Sequence, residues 1–255
     1  TLSSSSAASD VYKRQLINLL HLDPQDKIAS ILNVREFDEQ RQLVMGTRNG
    51  LVKKTVLSAY GNPRSNGVIA IKLDGNDDLI GAAITSGDDE IILGTRDGMA
   101  IRFHESQARS MGRVSRGVHG IKLRTADEVV DMVIVEPNSS LLTVCEKGYG
   151  KRTPIEEYRV QNRGGLGLIN IKTTSRNGKV VALKTVHDDD ELMLITANGM
   201  IIRTGLDQLR EIGRNTAGVR MISLKENDTL VAAARLVNEE KEVPDQAGDE
   251  GAGSE

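Results

Sequence analysis

The 255-residue chain has no tryptophan, only two phenylalanines and four tyrosines, and a single cysteine. Packing must therefore rest on Ile, Val, Leu and Ala. The lone Cys145 excludes an internal disulfide framework and fits a reducing compartment. No apolar run approaches the ~20 residues that a membrane-spanning helix needs. The opening TLSSSSAASDVYKRQ has no apolar stretch of the secretory kind. These absences predict a cytoplasmic protein with no membrane partner. Residues 1–15 are expected to be foreign to the native protein, because DVYKRQ (Asp10 to Gln15) matches the in-frame translation of a sequencing-transposon end.

An excess of either charge is also lacking, with 33 Lys and Arg against 36 Asp and Glu and a net of −3 over the chain. Its distribution is uneven. Residues 238–255, NEEKEVPDQAGDEGAGSE, hold seven acids and one lysine, and with that −6 set aside the remainder carries +3. Gly, Pro and acid without apolar residues predict a disordered acidic tail.

What the chain has is a repeat. GVIAIKL (67–73), GVHGIKL (117–123), GLINIKT (167–173) and GVRMISL (218–224) recur about every fifty residues. So do the hairpin-like RNGLVKKT (48–55), RDGMAIRF (96–103), KGYGKRT (147–153) and NGMIIRT (198–204). A third series is apolar: LIGAAIT (79–85), VVDMVIV (129–135), VVALKTV (180–186) and LVAAARLV (230–237). KIASILNV (27–34) takes that role at the front, and LINLL (16–20) reads as the closing strand of an earlier unit. Asn-Gly and Asp-Gly between short β-branched runs signal hairpins, and a period near fifty signals a propeller-like array.

The expected fold is all-β, with four-stranded blades at about 27–78, 79–128, 129–179 and 180–229 and a closing strand at 230–237. The segment from Leu206 to Glu211 is the one expected helical turn. A WD40 array needs its Trp-Asp, and kelch blades need Gly-Gly and aromatic signatures, so neither fits.

Cations recur with the blades. Four residues after each hairpin glycine stand Lys54, Arg102, Arg152 and Arg203, doubled by Lys53 and Lys151. Lys72, Lys122 and Lys172 follow the closing Ile, lapsing to Ser223. The loops before the closing strands carry Arg113 and Arg116, Arg163, and Arg214. One reading is solvated strand surface. The other is a positive belt that follows duplex phosphates. Aromatic interleaving for single-strand stacking is missing.

Signals of catalysis are weak. GYGKRT (148–153) echoes the end of a phosphate-binding loop, but Arg152 separates Lys151 from Thr153. HDDDE (187–191) fills the turn slot that SGDDE (86–90) fills in an earlier repeat. His21, His104, His119 and His187 share no ligand spacing. No catalytic residue, metal or cofactor is expected, and Cys145 reads as core.

These blades resemble the C-terminal domain of the DNA gyrase A subunit, the β-pinwheel, over residues 16–237. NGLVKKT, GVIAIKL, MGRVSRGVHGIKL, KGYGKRTPIEEY and IGRNTAGVRMI carry the likeness. The topoisomerase IV C-terminal domain is a close relative, and the acidic tail favours gyrase. The resemblance implies a disc whose rim wraps duplex DNA in support of ATP-dependent negative supercoiling. Its partners would be the rest of the gyrase A polypeptide, together with the ATPase B subunit, in an A2B2 assembly at the nucleoid. The strand-cleaving tyrosine and the ATP site would lie outside this chain. QNRGGLG (161–167) resembles the gyrase A box, Q-R-R-G-G-x-G. Gln161, Arg163, Gly164, Gly165 and Gly167 match, and Asn162 replaces an arginine. The resemblance implies that the glycines admit phosphate and that Arg163 supplies charge. A full box is expected upstream of residue 16. The alternatives are a topoisomerase IV C-terminal domain or a propeller-like platform for protein partners.

Overall fold

A computed structural model describes residues 28–64, 67–207 and 209–236. The expected leader, LINLL, residue 27, Val237 and the acidic tail lie outside them.

Fifteen strands follow one another with a regular pattern. The first repeat holds β1 (Gln42–Thr47), β2 (Leu51–Val56) and β3 (Leu79–Thr85). The second holds β4 (Glu90–Thr95), β5 (Met99–His104), β6 (Val118–His119) and β7 (Val129–Ile134). The third holds β8 (Ser140–Cys145), β9 (Tyr149–Pro154), β10 (Leu168–Ile169) and β11 (Val180–Val186). The fourth holds β12 (Glu191–Thr196), β13 (Ile201–Gly205), β14 (Val219–Arg220) and β15 (Leu230–Leu236).

Each hairpin turns on a left-handed glycine, Gly50, Gly98, Gly148 or Gly199, with φ between 79° and 86°. At such a φ only glycine escapes the Cβ penalty. The turns expected from Asn-Gly and Asp-Gly are therefore where the sequence puts them.

The sheets do not coincide with contiguous fifty-residue units. Their orders are β3-β1-β2-β6, then β7-β4-β5-β10, then β11-β8-β9-β14, and last β15-β12-β13. The apolar strand expected to open a blade instead closes the sheet of the hairpin before it, as Gln42 pairing with Thr85 shows. The short strand of each Gly/Arg loop pairs with the hairpin of the preceding repeat, as Leu51 pairing with His119 shows. A repeat fixes a period but not a phase, so sequence alone cannot say where one sheet stops. Two further expectations change. Residues 28–34 form no strand, although Ser30 Oγ reaches Ala82 O at 3.4 Å. One helical turn was expected, at Leu206–Glu211; the described residues hold 3-10 turns at Leu57–Tyr60, Glu105–Gln107 and Ile155–Glu157, and at the expected place Leu209 N donates to Leu206 O.

The strands β3, β7, β11 and β15 contact one another in series at the centre, and the hairpins radiate from them. The core lies between successive sheets. Alternation decides which gap a side chain fills: Ile91 and Leu93 face the first sheet, and Ile92 faces the third. Leu142 and Val144 turn the other way from Leu141 and Cys145. Strands covered on both faces read as near-continuous apolar runs, which explains EIILGT and SLLTVC.

Candidate nucleic-acid interface

The cation column nearest the hairpins turns inward. Lys53 and Lys151 are fully buried and Lys54 nearly so. The Lys151 ammonium donates to the carbonyls of Gly213 and Arg214, each at 2.7 Å. Lys53 does the same to Ala70 and Arg113. Burial pushes both amines down to about 8. Lys54 donates to Glu105 O at 3.0 Å and lies 3.4 Å from its carboxylate. Glu105, itself fully buried, accepts from the amides of Gly87 and Asp89 and from Thr85 Oγ1. These three lysines were expected to touch DNA. They cannot while the sheets are intact, because a loop of the next repeat covers each one.

The arginines of that column are also committed. Arg102 pairs with Glu90 and donates to the carbonyls of Ile155 and Tyr158. Arg152 pairs with Asp188. Arg203 pairs with Glu191 but stays 62% exposed, so it still presents charge.

The Gly/Arg loops lie along the outer hairpin strands, with Met111 N on Lys54 O, Gln161 N on Arg102 O and Ile212 N on Arg152 O. In the second sheet Ile101 stands where the first and third have a buried lysine. There the loop is held instead by its own Arg163, which reaches into the preceding repeat. Arg163 N and Nε donate to Gln107 Oε1 and O, each at 2.8 Å, and Arg163 Nη1 donates to His119 O at 2.9 Å. Arg214 repeats the last contact on Ile169 O at 3.1 Å.

The stretch QNRGGLG is thus first a fastening. Gly164 N donates to Gly120 O, and Gly167 sits so close to β5 that a Cβ would stand 2.4 Å from Ala100 O. Gly167 and Gly164 both have φ in the left-handed region. Gly165 has an ordinary φ and would meet nothing nearer than 3.6 Å. Gln161 is half-buried, and its Nε2 lacks a hydrogen-bond partner among the described residues. Of the remaining loop cations, Arg116 is exposed and pairs with Asp74 at 3.2 Å, while Arg113 is partly buried.

Two other columns are exposed. Lys72, Lys122 and Lys172 each anchor by backbone N–H to the next loop, on Ser115, Gly165 and Thr216, while their side chains face solvent. Arg109, Arg159 and Arg210, each four residues before Arg113, Arg163 and Arg214, are exposed as well. Among the described residues none of these six side chains has a hydrogen-bond or ion-pair partner. The arginine triplet went unnoticed in the sequence, although its spacing of 50 and 51 residues was the available signal.

Tyr158 and Cys145 are sealed from solvent. Tyr158 is buried, donates to Asn170 Oδ1 at 2.7 Å and has its phenol pushed up by burial. The Cys145 thiol is pushed up to about 12, also by burial. HDDDE forms a turn, with His187 N on Asp190 Oδ2 at 2.7 Å and Arg235 Nε beside that carboxylate at 2.6 Å. No group of three or more His, Cys, Asp or Glu is placed to hold a metal among the described residues.

Four radial antiparallel sheets edged by repeated cations define a propeller-like repeat domain. The profile of the DNA gyrase C-terminal domain, a beta-propeller, matches residues 41–86, 89–136, 139–187 and 190–236, so the chain belongs to that family. The DNA gyrase A subunit of Haloquadratum walsbyi is 45% identical over 225 residues, covering 86% of this chain and 26% of the relative. That of Salmonella typhimurium is 43% identical over 223 residues, covering 88% and 25%. The chain thus spans about a quarter of these relatives. A solved DNA gyrase A C-terminal domain superposes with a TM-score of 0.79 at 29% identity, over 87% of this chain and 74% of that one. A topoisomerase IV C-terminal domain shares the fold, with a TM-score of 0.82 at 24% identity over 87% and 69%.

Proposed function

We propose that the chain binds and wraps duplex DNA as the non-catalytic C-terminal part of a gyrase A polypeptide, and so of an ATP-hydrolysing type II DNA topoisomerase that supercoils DNA negatively. The observation that carries this reading is the pair of exposed, unpartnered columns, Lys72/Lys122/Lys172 and Arg109/Arg159/Arg210, in a chain of this family. Bending a 20–30 bp duplex costs on the order of 1–6 kcal/mol. Repeated cation–phosphate contacts offset that cost and carry no sequence information. The rest of the gyrase A polypeptide, together with an ATPase B subunit, would supply cleavage and ATP hydrolysis in an A2B2 assembly in the cytoplasm at the nucleoid. No cofactor is needed for the part this chain plays.

The platform reading draws support from the inward turn of Lys53, Lys54 and Lys151, which removes three cations from the surface. Titration of duplexes of increasing length at several salt concentrations separates the two. Wrapping predicts affinity that grows with length and falls steeply with salt. Affinity independent of both would leave the platform.

A further inference from the structure

The third repeat departs from the first two at the turn end of its outer strands. In the first two sheets the pairs at the turn end of the outer strands are Leu51 with His119 and Met99 with Ile169. The third sheet pairs Tyr149 with Arg220. Fifty and one hundred residues after Asn76, where the second repeat has Ala126, the third has Arg176.

The three side chains meet. The Arg176 and Arg220 guanidinium carbons lie 5.2 and 5.4 Å from the centre of the Tyr149 ring. Both are within the range where a ring's π-face attracts a cation. Arg220 also donates to the phenol oxygen from Nε at 3.3 Å and Nη2 at 3.0 Å. Both arginines are exposed, and neither has a carboxylate within ion-pair distance among the described residues. Lys147, held by Ser175 O at 2.6 Å, lines the same open cavity of about 530 Å³. Asp228 is the one carboxylate on its wall, and its Oδ1 accepts from the amides of Asn198 and Thr229. The cavity is therefore cationic. Its guanidiniums are steered by a ring that cannot neutralise them, and their free N–H edges suit a phosphate.

We propose that Tyr149, Arg176 and Arg220 form a phosphate clamp that grips a backbone phosphodiester of duplex DNA at the outer edge of the third sheet. The clamp rests on the DNA-binding reading above. Tyr149 is its positioning residue, and the two arginines make the contact. A repeated contact tolerates sliding of the duplex from blade to blade, whereas a contact made in one repeat pins the path there.

The chain itself supplies the substitutions for a test. Tyr149→Leu, Arg176→Ala and Arg220→Ile each install the residue found at the matching place in another repeat, as Leu51, Ala126 and Ile169 show. The full chain with all three should melt as the wild type does. Its affinity for long duplex should fall roughly tenfold per guanidinium lost. The slope of log affinity against log salt should shrink by about 1.8 for two lost contacts. Tyr149→Leu alone should weaken binding while leaving the slope unchanged, because both charges remain.

A triple variant with wild-type affinity and slope overturns the clamp, provided the wild type binds. A wild type that ignores duplex at low salt removes the DNA reading itself. Inorganic phosphate tests the source of the ligand. If it changes the tyrosine fluorescence of the wild type but not of Tyr149→Leu, at the phosphate concentration at which duplex acts, the site is for small anions and the DNA assignment fails.

Discussion

Lys151 spans two repeats, donating its ammonium to the carbonyl of Arg214, 63 residues downstream, at 2.7 Å. Among the described residues it has no carboxylate within ion-pair distance, although the charge of Glu157 acts on it from farther off, and its neighbour in the tie is the Gly213 carbonyl. Such a group costs desolvation and returns hydrogen bonds.

Replacing Lys151 by isoleucine, the residue at the matching positions Ile101 and Ile202, should change stability by less than about 1.5 kcal/mol near pH 7. Lost carbonyl bonds and a relieved buried charge nearly cancel. The Gly213–Gly218 loop should loosen nonetheless, read as faster amide exchange in Thr216 and Gly218. Equal exchange rates in both proteins would show that the lysine does not hold the loop.

The pH dependence has a definite sign. The folded amine sits at about 8, below its ordinary 10.5. Between those values the unfolded chain binds more protons, so this group's contribution to stability rises with pH. Neutral Lys151 still has two N–H donors for its two carbonyls. The isoleucine variant should therefore compare worse with the wild type at pH 10 than at pH 7.5 in urea unfolding. A difference that shrinks with pH would contradict the assignment.

Lys54 is another matter, because it neutralises a buried acid. Lys54→Met should cost about 3–5 kcal/mol by leaving the Glu105 carboxylate without its cation. Adding Glu105→Gln should recover part of that loss. A double-mutant cycle in urea measures the coupling, and a value near zero would mean the pair does not interact.

Within QNRGGLG, Gly167→Ala should destabilise by more than about 1 kcal/mol, since φ is +74° and the new methyl would meet Ala100 O. Gly165→Ala should leave stability within about 0.5 kcal/mol. A loss of DNA affinity in the stable Gly165 variant would mark close phosphate approach at that residue.

Neutralising Arg109, Arg159 and Arg210 together should leave the melting temperature unchanged and lower the salt slope for duplex binding by about 2.7. Neutralising Arg102 and Arg152 should instead lower the melting temperature, since both are bound within the protein. The two variants together tell surface charge from internal charge.

Hairpins were legible in the sequence because Asn-Gly, Asp-Gly and their kin act locally. The family resemblance was legible too, and the fold follows it. The direction in which Lys53 and Lys54 point was not. They are neighbours on β2, so strand alternation sends them to opposite faces, yet loops 17 to 60 residues away cover both. Nothing in LVKKTV announces a cover that arrives from another repeat. The same distance hid the role of Arg163, whose partners Gln107 and His119 lie 56 and 44 residues upstream.

Because β6, β10 and β14 each finish the sheet of the repeat before their own, the array has a polarity. A lost repeat takes a strand from its neighbour in one direction only. Removing the third would strip β10 from the second sheet but take no strand from the fourth, whose order is β15-β12-β13. The molecule is laid like roof tiles, each course held down by the next. An insertion or excision by whole repeats would have to respect that overlap, cutting at the loops between β5 and β6 or their equivalents rather than where the sequence repeat seems to end.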